Sequence, residues 1–373
     1  MTDFNIPDNP YLLLTPGPLS SSKTVKAAML RDWCTWDSDY RSIVQEVRAE
    51  LVSMATDAPD YTCVLMQGSG TFCVESVIGT ALGPEDKLLV LANGAYGCRM
   101  AEIARYLKIP FTLVEFGEDK PIKLERLDEA LEKDCAITHV AVVHCETTTG
   151  QLNDITAIGG LVKARSKIFI VDAMSSFGGI PMSMEEIQAD YLISSANKCI
   201  QGVPGFGFII VRTQIIEATA GQARSLSLDM YEQWRSLERG GKWRFTSPTH
   251  VLHAFRQALQ ELHGEGGVEK RAARYTVNQR LLVDGMVKLG FECLLADAQQ
   301  SPIITSFISP ADPRYKFEDF YDELKRKGFV IYPGKVTEVD TFRIGNIGEV
   351  YADDIHRLLQ AISGSMTWCD GRA

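Results

Sequence analysis

Lys198 is the residue of this sequence with the most direct potential for covalent chemistry. It follows an apolar run at residues 190–194 and precedes a glycine-proline loop that leads into another apolar run at residues 207–211. Most loop lysines are simply solvated. An amine at this position could also hold a phosphate or form a Schiff base with an aldehyde. The position of Lys198 alone leaves all three interpretations open.

Several other chemically useful residues follow apolar runs in the same way. They are Ser69, Gly70 and Thr71 after residues 62–66, Tyr96 after residues 87–92, and Asp172 after residues 167–171. Taken singly, each has an ordinary explanation: a tight turn, a packed loop aromatic and a helix cap. Each also has a chemical one: a phosphate cradle, a plate for a flat ring, and a carboxylate that pairs with a cationic ring nitrogen.

The combination of these residues is more specific than its parts. Hydroxyl groups for one phosphate, an aromatic for a ring face, an acid for a ring nitrogen and a lysine for an aldehyde together describe pyridoxal 5′-phosphate. Two other phosphate motifs fit poorly. Cys73 stands where a dinucleotide-binding G-x-G-x-x-G motif needs its last glycine, and residues 240–243 lack the rest of a P-loop. We therefore expect pyridoxal 5′-phosphate as the cofactor, with Lys198 as its covalent partner.

Short apolar runs alternate with helical patterns along the first two thirds of the chain. The six predicted strands are residues 62–66, 87–92, 139–143, 167–171, 190–194 and 207–211. Helical spacing between them, at residues 98–107 and 156–165, is typical of a parallel sheet covered on both faces. The candidate residues follow the carboxyl ends of these strands, the edge where open α/β sheets bind ligands.

A change of pattern near residues 264–267 predicts a domain boundary, because glycines interrupt the helical spacing there. A helix near residues 269–289 follows, with short strands near residues 303–308 and 340–345. The predicted units are an N-terminal arm at residues 1–20, a large α/β domain at residues 21–265 and a smaller α+β domain at residues 266–373.

Composition argues against several function classes. The 373 residues carry a formal net charge of −10 and no basic block, which speaks against nonspecific nucleic-acid binding. No apolar stretch approaches membrane-spanning length, and the N-terminus lacks the basic region of a secretion signal. The nine cysteines are scattered without a C-x-x-C pair, and the histidines offer no convincing metal-ligand set. We expect a cytoplasmic protein without a metal site.

Longer motifs resemble those of a known family. They are TPGP (15–18), GSGT (68–71), NGAYGCR (93–99), HCETTTG (144–150), VDAMSSFGG (171–179), SSANKCIQGVPGFGF (194–208), TSPT (246–249) and FRIGNIG (342–348). Through them the sequence resembles the class V aminotransferases of PLP fold type I over nearly its whole length. The resemblance implies a mostly parallel seven-stranded sheet with helices on both faces, a smaller α+β C-terminal domain, and a homodimer with shared active sites.

The resemblance also implies a role for each candidate residue. Lys198 would hold the cofactor and act in catalysis, and Asp172 would pair with the ring nitrogen. Tyr96 would stack on the ring, Thr147 would reach the ring hydroxyl, and Asn197 would assist. The implied phosphate ligands are Ser69, Gly70, Thr71 and a Thr246 donated by the neighbouring subunit. The implied substrate-binding residues are Arg343, for the substrate anion, and Gly17.

The expected reaction is transfer of the amino group of 2-aminoethylphosphonate to pyruvate, which gives phosphonoacetaldehyde and L-alanine. Arg343 would pair with both anions, and Lys242 or Arg244 would be a second cation for the phosphonate if it points inward. Two alternatives stay open. One is a carboxylate-specific class V aminotransferase that uses alanine or serine with glyoxylate or pyruvate, and the other is a non-catalytic binding or regulatory module. Asn197 and Tyr96 stand where cysteine desulfurases carry histidines, so that chemistry is set aside.

Overall fold

The computed structural model of the chain describes residues 6–334, 336 and 338–369, and these form fourteen strands and thirteen α-helices. The strands are β1 (Leu12–Leu13), β2 (Tyr61–Gly68), β3 (Leu88–Ala92), β4 (Phe111–Glu115), β5 (His139–Val143), β6 (Cys145–Glu146), β7 (Gln151–Leu152), β8 (Ile168–Asp172), β9 (Tyr191–Ser195), β10 (Gly205–Arg212), β11 (Ile304–Ile308), β12 (Phe329–Val330), β13 (Tyr332–Pro333) and β14 (Thr341–Gly345). The helices are α1 (Lys23–Ala27), α2 (Ser38–Ser53), α3 (Gly70–Ala81), α4 (Ala95–Tyr106), α5 (Leu124–Lys133), α6 (Ile155–Ala164), α7 (Met184–Ile187), α8 (Thr213–Glu217), α9 (Met230–Gly240), α10 (Thr249–Glu265), α11 (Gly267–Lys288), α12 (Phe317–Arg326) and α13 (Ala352–Ser363).

The main sheet has seven strands in the order β2-β10-β9-β8-β5-β3-β4. Strand β10 runs antiparallel to both of its neighbours, and the other pairings are parallel. This confirms the mostly parallel seven-stranded sheet. Every residue of β3, β5 and β9 is buried. Because successive side chains of a strand point to opposite faces, both faces of the sheet are covered.

Helices follow the strands as the βαβ pattern predicts. Helix α3 packs against β9 and β10, α4 packs against β3 and β4, and α6 packs against β8. The connections from β2 to α3 and from β3 to α4 are short, so both helices begin beside the carboxyl ends of their strands. This arrangement brings loops that are far apart in the sequence to one edge of the sheet.

A second, three-stranded antiparallel sheet in the order β11-β14-β13 lies in the C-terminal third. Its core contains Phe307, Phe342 and Ile344, together with residues of α11, α12 and α13. Leu14 joins this core, and β1 pairs in parallel with β12. The N-terminal segment therefore packs against the C-terminal third as well as leading into the large sheet.

The predicted domain boundary lies at a break between two helices. Helix α10 ends at Glu265 and α11 begins at Gly267, while Gly266 has φ +105°, which a residue with a side chain rarely adopts. The division into three units stays a prediction, and its ends at residues 1–5 and 370–373 lie outside the described residues. No helix in the described part of the chain is long and apolar enough to cross a bilayer.

Candidate active site

A cavity of about 230 Å³ lies at the carboxyl edge of the main sheet. The predicted site residues that line it are Ser69, Gly70, Thr71, Tyr96, Asp172, Asn197 and Lys198. They come from the start of α3, the start of α4, the end of β8 and the loop after β9. The fold thus brings together residues that are up to 129 positions apart in the sequence, as the parallel-strand pattern predicts.

The amine of Lys198 is held by the N-terminal segment. Its Nζ atom donates a 2.7 Å hydrogen bond to the carbonyl oxygen of Pro16. Burial lowers the pKa of Lys198, and the nearby acidic groups Cys199, Asp172 and Cys145 oppose that shift. A lysine whose pKa is lowered carries more of the neutral amine, the form that attacks a carbonyl or accepts a proton.

Gly17 makes room for this amine. A Cβ atom at Gly17 would lie 2.5 Å from Nζ of Lys198, and the backbone there has φ +118°. The backbone conformation therefore favours glycine, and a side chain at position 17 would displace the end of the Lys198 side chain. Gly17 was predicted to bind substrate, and the structure places it directly against Lys198; its contact with a substrate stays a prediction.

Asp172 is a buried acid in need of a cation. Its Oδ1 atom accepts a 2.8 Å hydrogen bond from the backbone N–H of Met174. Burial raises the pKa of Asp172 from 3.8 to about 7, while Met174 N–H, Lys198 and Arg99 act in the opposite direction. A cationic group of a ligand at this position would stabilise the ionised form of Asp172.

The start of α3 offers unused donors to a phosphate. Ser69 is the N-cap of this twelve-residue helix, yet its side chain makes no capping hydrogen bond. A Cβ at Gly70 would lie 2.2 Å from Sδ of Met174, so a side chain there would displace the end of Met174. Ser195 lines the same cavity, and its buried hydroxyl has no hydrogen-bond partner. Free hydroxyls at a helix N-terminus suit a bound phosphate.

Arg343 is a buried guanidinium held by backbone carbonyls. Its Nη1 donates to the carbonyl oxygen of Thr147 at 2.7 Å, and its Nε donates to that of Pro333 at 3.0 Å. Burial lowers the pKa of Arg343. Within the described residues, no carboxylate lies within 4.0 Å of this guanidinium. A buried guanidinium without a salt bridge suits an anionic ligand, but Arg343 does not line the cavity, and Glu146 acts on its charge from beyond salt-bridge distance.

Two predicted contacts are not made within one chain. Thr246 is exposed and lies outside the cavity lining, so its phosphate contact stays a prediction about the neighbouring subunit. The predicted contact of Thr147 with a ring hydroxyl also stays a prediction, because Thr147 does not line the cavity. Its carbonyl oxygen accepts the hydrogen bond from Arg343.

The match to a family model decides the family. The model described as Aminotransferase class-V matches residues 20–339 of this chain. The chain belongs to the class-V aminotransferase family. Both the predicted family and the predicted aminotransferase class of enzyme are confirmed by this match.

Curated relatives of this class-V aminotransferase match it from end to end. A 2-aminoethylphosphonate--pyruvate transaminase of Syntrophobacter fumaroxidans is 60% identical over 367 residues, which cover 98% of this chain and 99% of the relative. Proteins with the same name from Vibrio vulnificus and Bacteroides fragilis are 60% identical over 362 residues and 58% identical over 356 residues. These matches cover 96% and 95% of this chain, and 99% and 98% of the two relatives.

Solved structures with the same fold include other aminotransferases. Pyridoxamine-pyruvate aminotransferase from Mesorhizobium loti has a TM-score of 0.88 at 24% identity, and the match covers 96% of this chain and 93% of the other. Alanine--glyoxylate aminotransferase from Nostoc sp. has a TM-score of 0.88 at 22% identity, with 98% and 97% covered. At identities this low, a structural match is evidence for the fold alone. These matches confirm that the class-V aminotransferase has PLP fold type I.

Arg99 and Glu146 of this aminotransferase were missed by the sequence reasoning. Arg99 lines the cavity, and its guanidinium carbon lies 4.9 Å from the centroid of the Tyr96 ring. Its place three residues after Tyr96 on α4 is a signal that could have found it, because such residues share a helix face. Glu146 is fully buried beside Tyr96. Glu146 is the one acidic residue of HCETTTG (144–150), but no rule of sequence spacing predicts that it contacts Tyr96.

The basic residues expected as second cations lie elsewhere in this chain. Nη1 of Arg244 donates to the carbonyl oxygen of Leu226 at 2.8 Å, and Nζ of Lys242 lies 4.7 Å from the centroid of a Trp36 ring. Neither residue lines the cavity. Arg99 is instead the arginine that shares the cavity with Lys198 and Asp172.

Proposed function

We propose that this class-V aminotransferase transfers the amino group of 2-aminoethylphosphonate to pyruvate, with pyridoxal 5′-phosphate as its cofactor. The products would be phosphonoacetaldehyde and L-alanine. The observation that carries this proposal is 60% identity over 98% of the chain to a curated 2-aminoethylphosphonate--pyruvate transaminase. The buried Arg343 supports it independently, since both substrates are anions.

The residues around the cavity fit pyridoxal 5′-phosphate. Lys198 would form the covalent bond to its aldehyde, Asp172 would face its ring nitrogen and Tyr96 would cover one ring face. The phosphate would lie against Ser69, Gly70 and Thr71 at the start of α3, where donors are unused. When bound, this group supplies the aldehyde that takes up the amino group and a cationic ring that accepts the electron pair released from the donor carbon.

Lys198 would then move the proton that the reaction requires. With cofactor and substrate bound, Nζ of Lys198 would serve as an amine in a partly buried site where its pKa is lowered. In its neutral form it would accept the proton of the donor carbon and later give that proton back. The hydrogen bond from Nζ to Pro16 indicates how the fold limits the amine to this small region.

Asp172 would keep the ring nitrogen protonated. A cation facing its carboxylate offsets the burial that raises the pKa of Asp172 to about 7. Pairing would thus stabilise both the Asp172 carboxylate and the protonated ring nitrogen, relative to either charge alone in the cavity. This is why an amide at position 172 would keep the shape of the site but lose most of the rate.

Arg343 would bind both substrates in turn. The phosphonate of the donor and the carboxylate of pyruvate never occupy the site together, so one guanidinium can serve both. Backbone carbonyls of Thr147 and Pro333 fix the orientation of Arg343 without neutralising its charge. Arg343 does not line the cavity, so its contact with a substrate stays a prediction. Arg99 adds positive charge to the cavity itself, which would favour a tetrahedral anion over a single carboxylate.

A homodimer with shared active sites is part of the proposal. Large apolar side chains are exposed around the segment that carries Thr246: Lys242 contacts Trp36, and Arg244 contacts Leu226 and Phe245. We call Trp36, Leu226 and Phe245, together with the exposed Phe72 of α3, the apolar patch. Exposed apolar groups of this size mark an interaction surface. We assign a second copy of the chain to it, which would bring its Thr246 to the phosphate site.

The dimer is tested by sedimentation of Phe245→Glu next to wild type. We expect the wild-type protein to sediment as a dimer and the variant as a monomer with weaker cofactor retention. Tyr106→Glu serves as control, because Tyr106 is an exposed aromatic outside the apolar patch. A wild-type monomer with full activity would contradict shared active sites.

A cytoplasmic location is also proposed. The described cysteines are all free thiols, four of them fully or nearly buried: Cys63, Cys73, Cys145 and Cys199. Burial raises the pKa of Cys63 and Cys145 to about 12, so these thiols are packing groups rather than nucleophiles. Fractionation of the source cells with an antibody against the chain tests the location.

Product analysis tests the proposed reaction. The purified holoenzyme, given 2-aminoethylphosphonate and pyruvate, should form alanine and phosphonoacetaldehyde in equal amounts. Lys198→Ala should form neither. Alanine formation from serine but not from 2-aminoethylphosphonate would instead favour a carboxylate-specific aminotransferase, and a protein that retains no cofactor would favour a binding module.

A further inference from the structure

Glu146 is a fully buried carboxylate that forms no salt bridge within the described residues, although from beyond salt-bridge distance its charge opposes the burial that lowers the pKa of Arg343. Its side chain has 0% exposure, and no lysine, arginine or histidine nitrogen of the described chain lies within 4.0 Å of it. Its oxygens accept hydrogen bonds instead: Oε2 from the backbone N–H groups of Tyr96 and Gly97, at 3.0 and 3.4 Å, and Oε1 from the N–H and hydroxyl of Thr148, at 3.3 and 2.8 Å. A buried carboxylate is tolerated only when donors surround it in this way.

Two of those donors belong to the first turn of α4. The first N–H groups of a helix have no partner within the helix, and a side chain of the N-cap residue usually satisfies them. The N-cap of α4 is Gly94, which has no side chain. Glu146, more than fifty residues further along the chain, therefore supplies the cap that Gly94 lacks.

Gly94 and Glu146 fit together in space as well. A Cβ atom at Gly94 would lie 2.3 Å from Cγ and 2.4 Å from Cδ of Glu146. Glu146 thus occupies the volume that a capping side chain at position 94 would fill. The negative charge lies at the positive end of the α4 dipole, which offsets part of the cost of burying it.

The same loop also holds the substrate-binding arginine. Thr147 follows Glu146 directly, and its carbonyl oxygen accepts the 2.7 Å hydrogen bond from Nη1 of Arg343. The N–H of Gly150 closes this loop by donating to the carbonyl oxygen of Glu146 at 2.8 Å. One short segment therefore contacts the start of α4 on one side and β14 on the other.

We propose that Glu146 is a positioning residue, which caps α4 from another segment and thereby holds Tyr96 against the cofactor ring and Thr147 under Arg343. The proposal rests on the proposed function, because it takes Tyr96 as the residue that covers the ring. Glu146 does not line the cavity, so it would act on Tyr96 through the first turn of α4. Besides burial, its charge also helps to raise the pKa of Asp172, an effect that Thr148→Val leaves in place because it keeps the carboxylate.

Glutamine replaces this carboxylate only in part. An amide nitrogen in place of Oε2 would face the N–H groups of Tyr96 and Gly97. In place of Oε1 it would face the N–H of Thr148, although the Thr148 hydroxyl can turn to accept. Glu146→Gln should therefore weaken the cap while keeping the size of the side chain. Glu102→Gln is the matched control, because Glu102 lies on the exposed face of the same helix.

The test uses apoenzyme and two probes that need no catalysis. One is 4-deoxypyridoxine 5′-phosphate, which has the ring and the phosphate but no aldehyde; the other is inorganic phosphate. Calorimetry should show ring-probe binding about 10-fold weaker in Glu146→Gln, while phosphate binding changes less than about 2-fold. Glu102→Gln should match wild type with both probes.

Two results would overturn the proposal. They are unchanged ring-probe binding in Glu146→Gln, or an equal loss for both probes, which is what a general loss of structure produces. If Glu146→Gln does not fold, Thr148→Val is measured instead, because it removes one hydrogen-bond donor to Glu146. A smaller loss of ring-probe binding, with phosphate binding unchanged, supports the proposal. An equal effect on both probes, or none on either, contradicts it. The proposed function fails separately, if wild type binds neither ring probe nor substrate.

Discussion

Nζ of Lys198 lies 2.7 Å from the carbonyl oxygen of Pro16 and donates a hydrogen bond to it. The N-terminal segment thus sets the position of the reactive amine, although it is 182 residues away in the sequence. Gly17 follows Pro16, and the space beside it is filled by the Lys198 side chain. The location of the amine is therefore sensitive to a single methyl group.

Gly17→Ala should displace the amine of Lys198. The new Cβ would lie 2.5 Å from Nζ at a backbone φ of +118°, so either the lysine or the segment must move. We expect a fall in turnover of about 100-fold, the effect of a displacement of about 1 Å at a reacting group. Alanine formation from 2-aminoethylphosphonate and pyruvate measures it. Gly160→Ala is the control, since a Cβ there meets nothing within 4 Å; an equal loss in both variants would contradict the assignment.

Lys198→Ala should fold but lose covalent attachment of the cofactor and transamination. Among the described residues no other amine lines the cavity, so none of them replaces Nζ as covalent partner or base. The absorption spectrum after dialysis and the alanine assay measure the two losses, with exposed Lys133→Ala as control. Substantial turnover by Lys198→Ala without added amine would show that Lys198 is not the reactive lysine.

Asp172→Asn should change how the stability of the apoenzyme depends on pH. Burial raises the pKa of Asp172 from 3.8 to about 7, so in this window the folded protein holds a proton that the unfolded chain has lost. The contribution of Asp172 to the free energy of unfolding is fully present below pH 3.8 and is lost as the pH rises through about 7. The amide side chain of the variant does not titrate. Relative to wild type, the variant should gain up to about 1.4 kcal/mol in free energy of unfolding per pH unit between about pH 5 and about pH 7.

Denaturant titration of both proteins at each pH measures this difference. Burial lowers the pKa of His139, His144 and His253 to about 4, which acts in the opposite direction in both proteins and cancels in the comparison. Lys198 interacts with Asp172, so the comparison is repeated in a Lys198→Ala background. A difference that does not change with pH would mean that Asp172 is ionised or paired in the apoenzyme.

Arg343→Gln should weaken binding of both substrates and leave the cofactor in place. The amide removes the charge that would pair with phosphonate and carboxylate, so we expect KM to rise about 10- to 100-fold for each substrate. The cofactor spectrum should match wild type. The exposed Arg105→Gln is the control. A rise in KM for pyruvate alone would show that the phosphonate is bound by another group, with Arg99 the first candidate.

Much of the main sheet could be predicted because its strands are short apolar runs. All six predicted strands are present, with bounds that differ by at most two residues. Strand β4 was missed because it is an edge strand, partly exposed and ending in a charged residue. The antiparallel direction of β10 was also not predicted, although the absence of a helix between β9 and β10 is a signal for it, since parallel neighbours need a longer crossover.

Part of the site could be predicted for the same reason. Residues that follow parallel strands must meet at one edge, so the order of apolar runs in the sequence is enough to place Lys198, Asp172 and Tyr96 together. The capping of α4 by Glu146 could not be predicted, because it depends on the close approach of two loops and on the space left by Gly94. Contacts of that kind follow from packing and leave no periodic pattern in the sequence.

A single-turnover experiment with the cofactor-loaded enzyme tests the central claim most directly. Each amino donor is mixed with the enzyme in the absence of pyruvate, and the loss of the yellow colour of the cofactor is followed. We predict that 2-aminoethylphosphonate and alanine remove the colour quickly, and that serine and aspartate act only weakly. Fast loss of colour with serine or another carboxylate donor, while 2-aminoethylphosphonate leaves the enzyme yellow, would contradict the proposed function and establish a carboxylate-specific aminotransferase in its place.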